Sequence, residues 1–205
     1  MVISALLVVV LAWGFLSRRR AHPPAYPLPP MEVAGARRVG RVWTDNDPLL
    51  VVDARAAEAW TGVEGDYDRS FGHQLKVGRL TAAILMPEVD EGPVEVFTLA
   101  GGDVLIVSVT AADADDWHEF LTAVGRCPAR EAGRVDIGSG MLAVFHAAAP
   151  YRALTVVESA AVGRKPFADE LLAIPVPTGS YEVRESVTDA PSYALRAWRL
   201  TRRGV

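Results

Sequence analysis

The chain is poor in the residues that most often carry chemistry. It has one cysteine in 205 residues, Cys127, so no internal disulfide is possible and packing alone must hold the fold. That thiol sits between Arg126 and Pro128, with no His–acid arrangement nearby to activate it. The four histidines are His22, His73, His118 and His146, and no two stand at the spacing of a zinc-binding pair. Lysine is scarcer than arginine: Lys76 and Lys165 are the only two among 21 basic residues. Acids number 25, for a net charge of −4, and the first 30 residues hold three Arg and no acid, which leaves −7 for residues 31–205. An acidic domain argues against nucleic-acid binding, which needs a basic face to replace counterions. It suits a basic partner, and it serves solubility equally well.

Catalytic signatures are missing too. Ser139 lies in Gly138-Ser139-Gly140, but a nucleophile elbow would need glycines where Ile137 and Met141 stand. Gly101-Gly102 follows neither the dinucleotide nor the P-loop pattern. Glu64, Asp66 and Asp68 cluster, with Asp45-Asn46-Asp47 upstream, yet the spacing is not that of a calcium loop. A capped loop, with Arg69 tying the acids down, is the simpler reading. The expectation is no cofactor, no metal and no enzymatic activity.

The N-terminus divides from the rest. Residues 2–16 are uncharged and end just before Arg18-Arg19-Arg20. As a helix they span about 22 Å at ~1.5 Å per residue, short of a ~30 Å bilayer core; snorkelling of Arg18 and local thinning make up part of the gap. The charge follows the apolar run and no Ala-x-Ala site comes after it, unlike a cleaved signal peptide. The reading is a transmembrane or hydrophobic segment over 1–17, a basic and Pro-rich linker over 18–37, and a globular domain over 38–205. The positive-inside rule places that domain in the cytoplasm, anchored to the membrane. Were Met31 the start, the protein would be a soluble cytoplasmic one.

Within the domain, apolar runs with short turns dominate. Arg38–Trp43 and Leu49–Val52 read as strands, Ala54–Trp60 as a short helix closed by Gly62, and Glu64–His73 as a loop. Lys76–Leu80 and Ala82–Met86 make one strand or two. Val94–Leu99 and Val104–Thr110 flank a Gly-rich loop and read as a hairpin. Trp117, Phe120, Leu121 and Val124 form one stripe at helical spacing, so an amphipathic helix is expected over about 113–124, packed on a sheet. Strands at 134–137, 141–146, 154–158, 171–176, 181–187 and 193–201 read as an antiparallel meander. The fold class expected is α+β: mainly antiparallel sheet, one clear amphipathic helix, plus an N-terminal hydrophobic helix.

The stretch from Trp43 to Arg69 carries a resemblance. Trp43, Pro48-Leu49-Leu50 leading into an apolar strand, Trp60-x-Gly62 and Asp66-Tyr67-Asp68-Arg69 occur in the order that resembles the immunity protein 21 family of bacterial polymorphic toxin systems. Two departures stand out: Asn46-Asp47 where that family has Gly-Gly, and Ser70-Phe71 where it has a small residue and Cys. Further along, the likeness is one of pattern only, ending on a hairpin with Gly179-Ser180-Tyr181. The resemblance covers roughly residues 38–202. It implies a protein that binds a toxin domain and neutralises it by occlusion, and the acidic balance of residues 31–205 suits a basic one. It points to Trp60, Asp66, Tyr67, Asp68 and Arg69 as the partner-binding neighbourhood. The alternative is a membrane-tethered structural or regulatory domain with a cytosolic partner that is not a toxin.

Overall fold

The computed structural model describes residues 35–45, 47–71, 74–87, 91–110, 117–158, 170–190 and 193–204. Two six-stranded sheets face each other. The first has the order β1 (Arg37–Asp45), β5 (Glu91–Thr98), β6 (Val104–Thr110), β12 (Tyr193–Arg202), β11 (Gly179–Ala190), β7 (Ala129–Ile137). The second has the order β3 (Gln74–Val77), β4 (Leu80–Leu85), β2 (Leu49–Asp53), β8 (Met141–His146), β10 (Glu170–Pro175), β9 (Thr155–Glu158). Every pairing is antiparallel except β9 with β10.

The expected α+β class is therefore corrected. The fold is built from β-sheet, with two short α-helices among the described residues, α1 (Ala54–Ala57) and α2 (Trp117–Val124). The physical reason lies in the strands. Leu49–Val52, Ala82–Leu85, Leu142–Phe145 and Leu171–Ile174 are buried without alternation, so both of their faces need cover. Facing sheets supply one cover each. Val51, Leu85, Val96, Ile106, Val144, Ile174, Val183 and Trp198 meet between the sheets in the central cluster. On the outer side of the second sheet Leu50, Val52, Ala143 and Phe145 pack with Trp60. On the outer side of the first, Phe97, Leu105, Val107 and Leu195 lie under Phe120 and Val124 of α2. The expected helix is thus present from Trp117, its predicted positions 113–116 falling outside the described residues.

The expected N-terminal hydrophobic helix also lies outside the described residues, and among those described no helix is long and apolar enough to cross a membrane. The supposed C-terminal meander is split. β11 and β12 pair as a hairpin in the first sheet with β7 beside them, whereas β8 and β10 join β2 in the second. Side chains alternate along β12: Leu195 and Ala197 face α2, while Trp198 and Leu200 enter the central core.

Candidate functional site

The outer side of the second sheet carries the stretch singled out in the sequence. β2 ends on Asp53, which is buried. One oxygen of its carboxylate caps α1 by accepting from the backbone N–H groups of Arg55 (3.0 Å) and Ala56 (3.1 Å). The other accepts from Gly138 N (2.8 Å) and Ser139 N (2.6 Å) in the β7–β8 turn. Burial acts to raise its pKa, but the bonds from Ser139, Ala56 and Gly138 outweigh it and hold the carboxyl below its ordinary value.

After α1 the chain drops into the core at Trp60. The indole is 2% exposed and donates from Nε1 to the Ala147 carbonyl at 2.9 Å. The Trp60 carbonyl accepts from Tyr151 N at 3.0 Å, and Val63 N donates to the Ala148 carbonyl at 3.0 Å. Two 3-10 turns follow, Gly62–Glu64 and Tyr67–Phe71. Asp66 holds them together: one oxygen accepts from Thr61 N (3.1 Å) and Thr61 Oγ1 (2.7 Å), the other from the Arg69 guanidinium (2.6 Å). Partial burial pushes the Asp66 pKa up, yet the Thr61 bonds and the Arg69 charge prevail, so the carboxyl lies below its ordinary value. Arg69 also donates to the Lys76 carbonyl on β3.

A second tie joins this loop to the β1–β2 turn. The Tyr67 hydroxyl donates to the Asp47 carboxylate. The other Asp47 oxygen lies 2.9 Å from His146 Nε2 at the end of β8, and the Asp47 carbonyl accepts from Thr44 Oγ1 at 2.7 Å.

The five residues pointed to by the sequence therefore lie together but play different parts. Trp60 is a root in the core. Asp66 is an internal tie, and Tyr67 is half-buried and bonded inward. Asp68 and Arg69 are exposed, as is Val63 in the preceding 3-10 turn, at 64%. Sequence reasoning missed the organising roles of Asp53, Asp47 and His146; Asp53 was legible as a residue directly before a helical run. His73 and the Asn46 of the turn lie outside the described residues.

Next to this loop runs a groove of about 540 Å³, bounded by Arg55, Glu58 and Ala59 at α1, Gly78, Arg79 and Leu80 at the β3–β4 turn, and Gly138 and Ser139 at the β7–β8 turn. Its floor is mostly apolar, from Ala56, Ala59, Val77 and Leu80. Ser139 has no histidine among the lining residues, and the one buried acid there, Asp53, is fully engaged as an acceptor. Among the described residues the groove therefore lacks the base a nucleophilic serine needs. Among the described residues no three His, Cys, Asp or Glu side chains gather to hold a metal.

Comparison with family models, with curated proteins and with solved structures finds no match.

Proposed function

We propose that the protein is an immunity protein that binds a polymorphic toxin domain and neutralises it by occlusion, without catalysis, held at the inner face of the membrane by residues 2–16. The observation that carries the reading is the form of the Trp60–Arg69 loop. Its anchors are buried or bonded inward, and its remaining side chains face solvent on a fixed backbone. Pre-ordered loops bind without a large ordering cost, and loops on a rigid scaffold are where binding residues concentrate. Val63, Asp68 and Arg69 form the contact surface. Asp68 supplies charge toward a basic toxin domain, and Val63 supplies the apolar anchor. Trp60, Asp66 and Tyr67 contribute by holding that surface in shape.

The test is a pull-down from the native host with a C-terminal tag, run on separate membrane and soluble fractions. The wild-type chain is expected to recover the C-terminal domain of a secreted toxin from the membrane fraction, and Val63→Ala plus Asp68→Ala to lose it while melting at the wild-type temperature. Recovery of envelope or housekeeping proteins alone would overturn the reading in favour of the structural one.

A further inference from the structure

A buried carboxylate interrupts the apolar outer face of the first sheet. Glu95 stands on β5 between Val94 and Val96, which enter the central core, so its side chain points to the outer side with Phe97 and Val107. Two guanidiniums from the edge strand β1 reach it. Arg38 Nη2 lies 2.5 Å and Arg41 Nη2 2.7 Å from the same oxygen, Oε1. Residues three apart on a regular strand face opposite ways. Here the register shifts between Arg38 and Gly40, and the extra residue, Val39, turns both arginines to one side. The other oxygen, Oε2, is buried without a hydrogen-bond partner among the described residues. The neighbouring side chains of β6 on this face are Leu105, Val107 and Val109; α2 brings Trp117 and Phe120 to the layer, and its His118 and Glu119 are exposed. Farther along the face, Arg199 of β12 is held by Asp103. Arg38 and Arg41 are thus the charged groups that face Glu95 among the described residues, and both are partly exposed, so the cluster meets solvent on its β1 side.

We propose that Arg38, Glu95 and Arg41 form a proton-controlled clamp on the first half of β1, residues 37–41, which holds that half against β5 while Glu95 is neutral and loosens as Glu95 ionises. Opposing forces set the direction. An ionised carboxylate gains the two guanidinium contacts but loses its water, and its second oxygen finds no donor among the described residues. Burial outweighs the pull of Arg38 and pushes the carboxyl up to about 7. When residues 37–41 lift from β5, Glu95 meets water and returns towards its ordinary value of 4.5. The held state therefore keeps its proton up to about 7, the lifted state only up to 4.5. Between those values lifting releases a proton, so rising pH favours it. β1 ends its sheet and pairs with β5 alone, and segments with few neighbours open locally before a whole domain does. The linker over 18–37 runs straight into this half-strand, so the clamp acts where the linker enters the domain.

The experiment is amide hydrogen exchange on the full chain at a series of pH values from 5 to 8, with each rate divided by the intrinsic rate at that pH to give an opening constant. Amides of residues 37–41 should open with larger constants than those of β6 and β12, which open only with the whole domain. Their constants should rise by up to about tenfold per pH unit below pH ~7 and level off above it. Glu95→Gln, which cannot ionise, should abolish the rise. Arg38→Gln removes a charge that opposes burial, so it should move the levelling-off to higher pH; a merely structural contact would not shift that point. Opening constants of residues 37–41 that stay flat with pH, that match those of β6 and β12, or that keep their slope in Glu95→Gln would overturn the proposal. None of these measurements uses a toxin, so the clamp and the immunity reading stand or fall separately.

Discussion

At the scale of single residues, carboxylates held by several hydrogen bonds set the behaviour of the molecule with pH. Asp53, Asp66 and Asp136 all have lowered pKa values. For Asp136, burial is outweighed by bonds from Thr81 and Ser180 and by Lys76. A group with a depressed folded-state pKa contributes stability that is present above the unfolded value, about 3.9 for Asp, and is lost as pH falls through the folded value. Acid titration followed by circular dichroism should therefore show stability falling below pH ~4, with a shallower fall in Asp53→Asn. That variant should also cost about 2–3 kcal/mol at neutral pH, because the amide nitrogen replaces an acceptor that two N–H groups share.

Glu95 behaves in the opposite sense. It is 1% exposed, with one oxygen held by Arg38 at 2.5 Å and Arg41 at 2.7 Å, and the other oxygen without a hydrogen-bond partner among the described residues. Burial pushes its carboxyl up to about 7 against the pull of Arg38. A raised pKa means stability that is fully present below the ordinary value of 4.5 and is lost as pH rises through about 7. Unfolding free energies from urea titrations between pH 5 and 8 should fall in the wild type, by an amount on the order of 2 kcal/mol. Glu95→Gln should flatten that slope; an unchanged slope would place its cause elsewhere.

At the scale of elements, the loop depends on one glycine. Gly62 has φ +57°, and a Cβ there would stand 2.4 Å from the Ala148 carbonyl oxygen and 2.6 Å from Pro150 N. Both obstacles are backbone, so Gly62→Ala should cost more than about 2 kcal/mol and expose the 60–71 loop to proteolysis before the sheets unfold. The sequence announced this glycine as a helix terminator after Trp60, and it announced β2, the β5–β6 hairpin and the apolar stripe of α2. It did not announce the pairing of β2 with β8, in which Val51 meets Val144, because an unbroken apolar run says that a strand is covered on both faces without saying by what. The same holds for the site. Trp60 could be read as core or as contact from its neighbours alone, while the Asp47–His146 bond joins residues 99 apart and no local pattern announces it.

At the scale of the whole molecule, three apolar layers are stacked through two sheets, and Trp198 lies in the middle one at 1% exposure, with its Nε1 donating to Glu185 at 3.2 Å. Trp198→Ala should destabilise by about 3–5 kcal/mol, read as a lower denaturation midpoint. The outer layers are thinner: α2 covers one of them, and the 54–71 segment, which carries the proposed contact surface, covers the other. The most direct check of the account is growth rescue. The chain is co-expressed in a bacterial host with a toxin domain encoded beside its gene. The account predicts that the wild-type chain restores growth, that Asp68→Lys plus Val63→Asp fails to do so at equal protein level and equal melting temperature, and that the two purified proteins form a stable complex. Full rescue by that double variant would remove the 60–69 loop from the contact surface. Failure of the wild-type chain to bind or protect against any neighbouring toxin domain would contradict the immunity function itself.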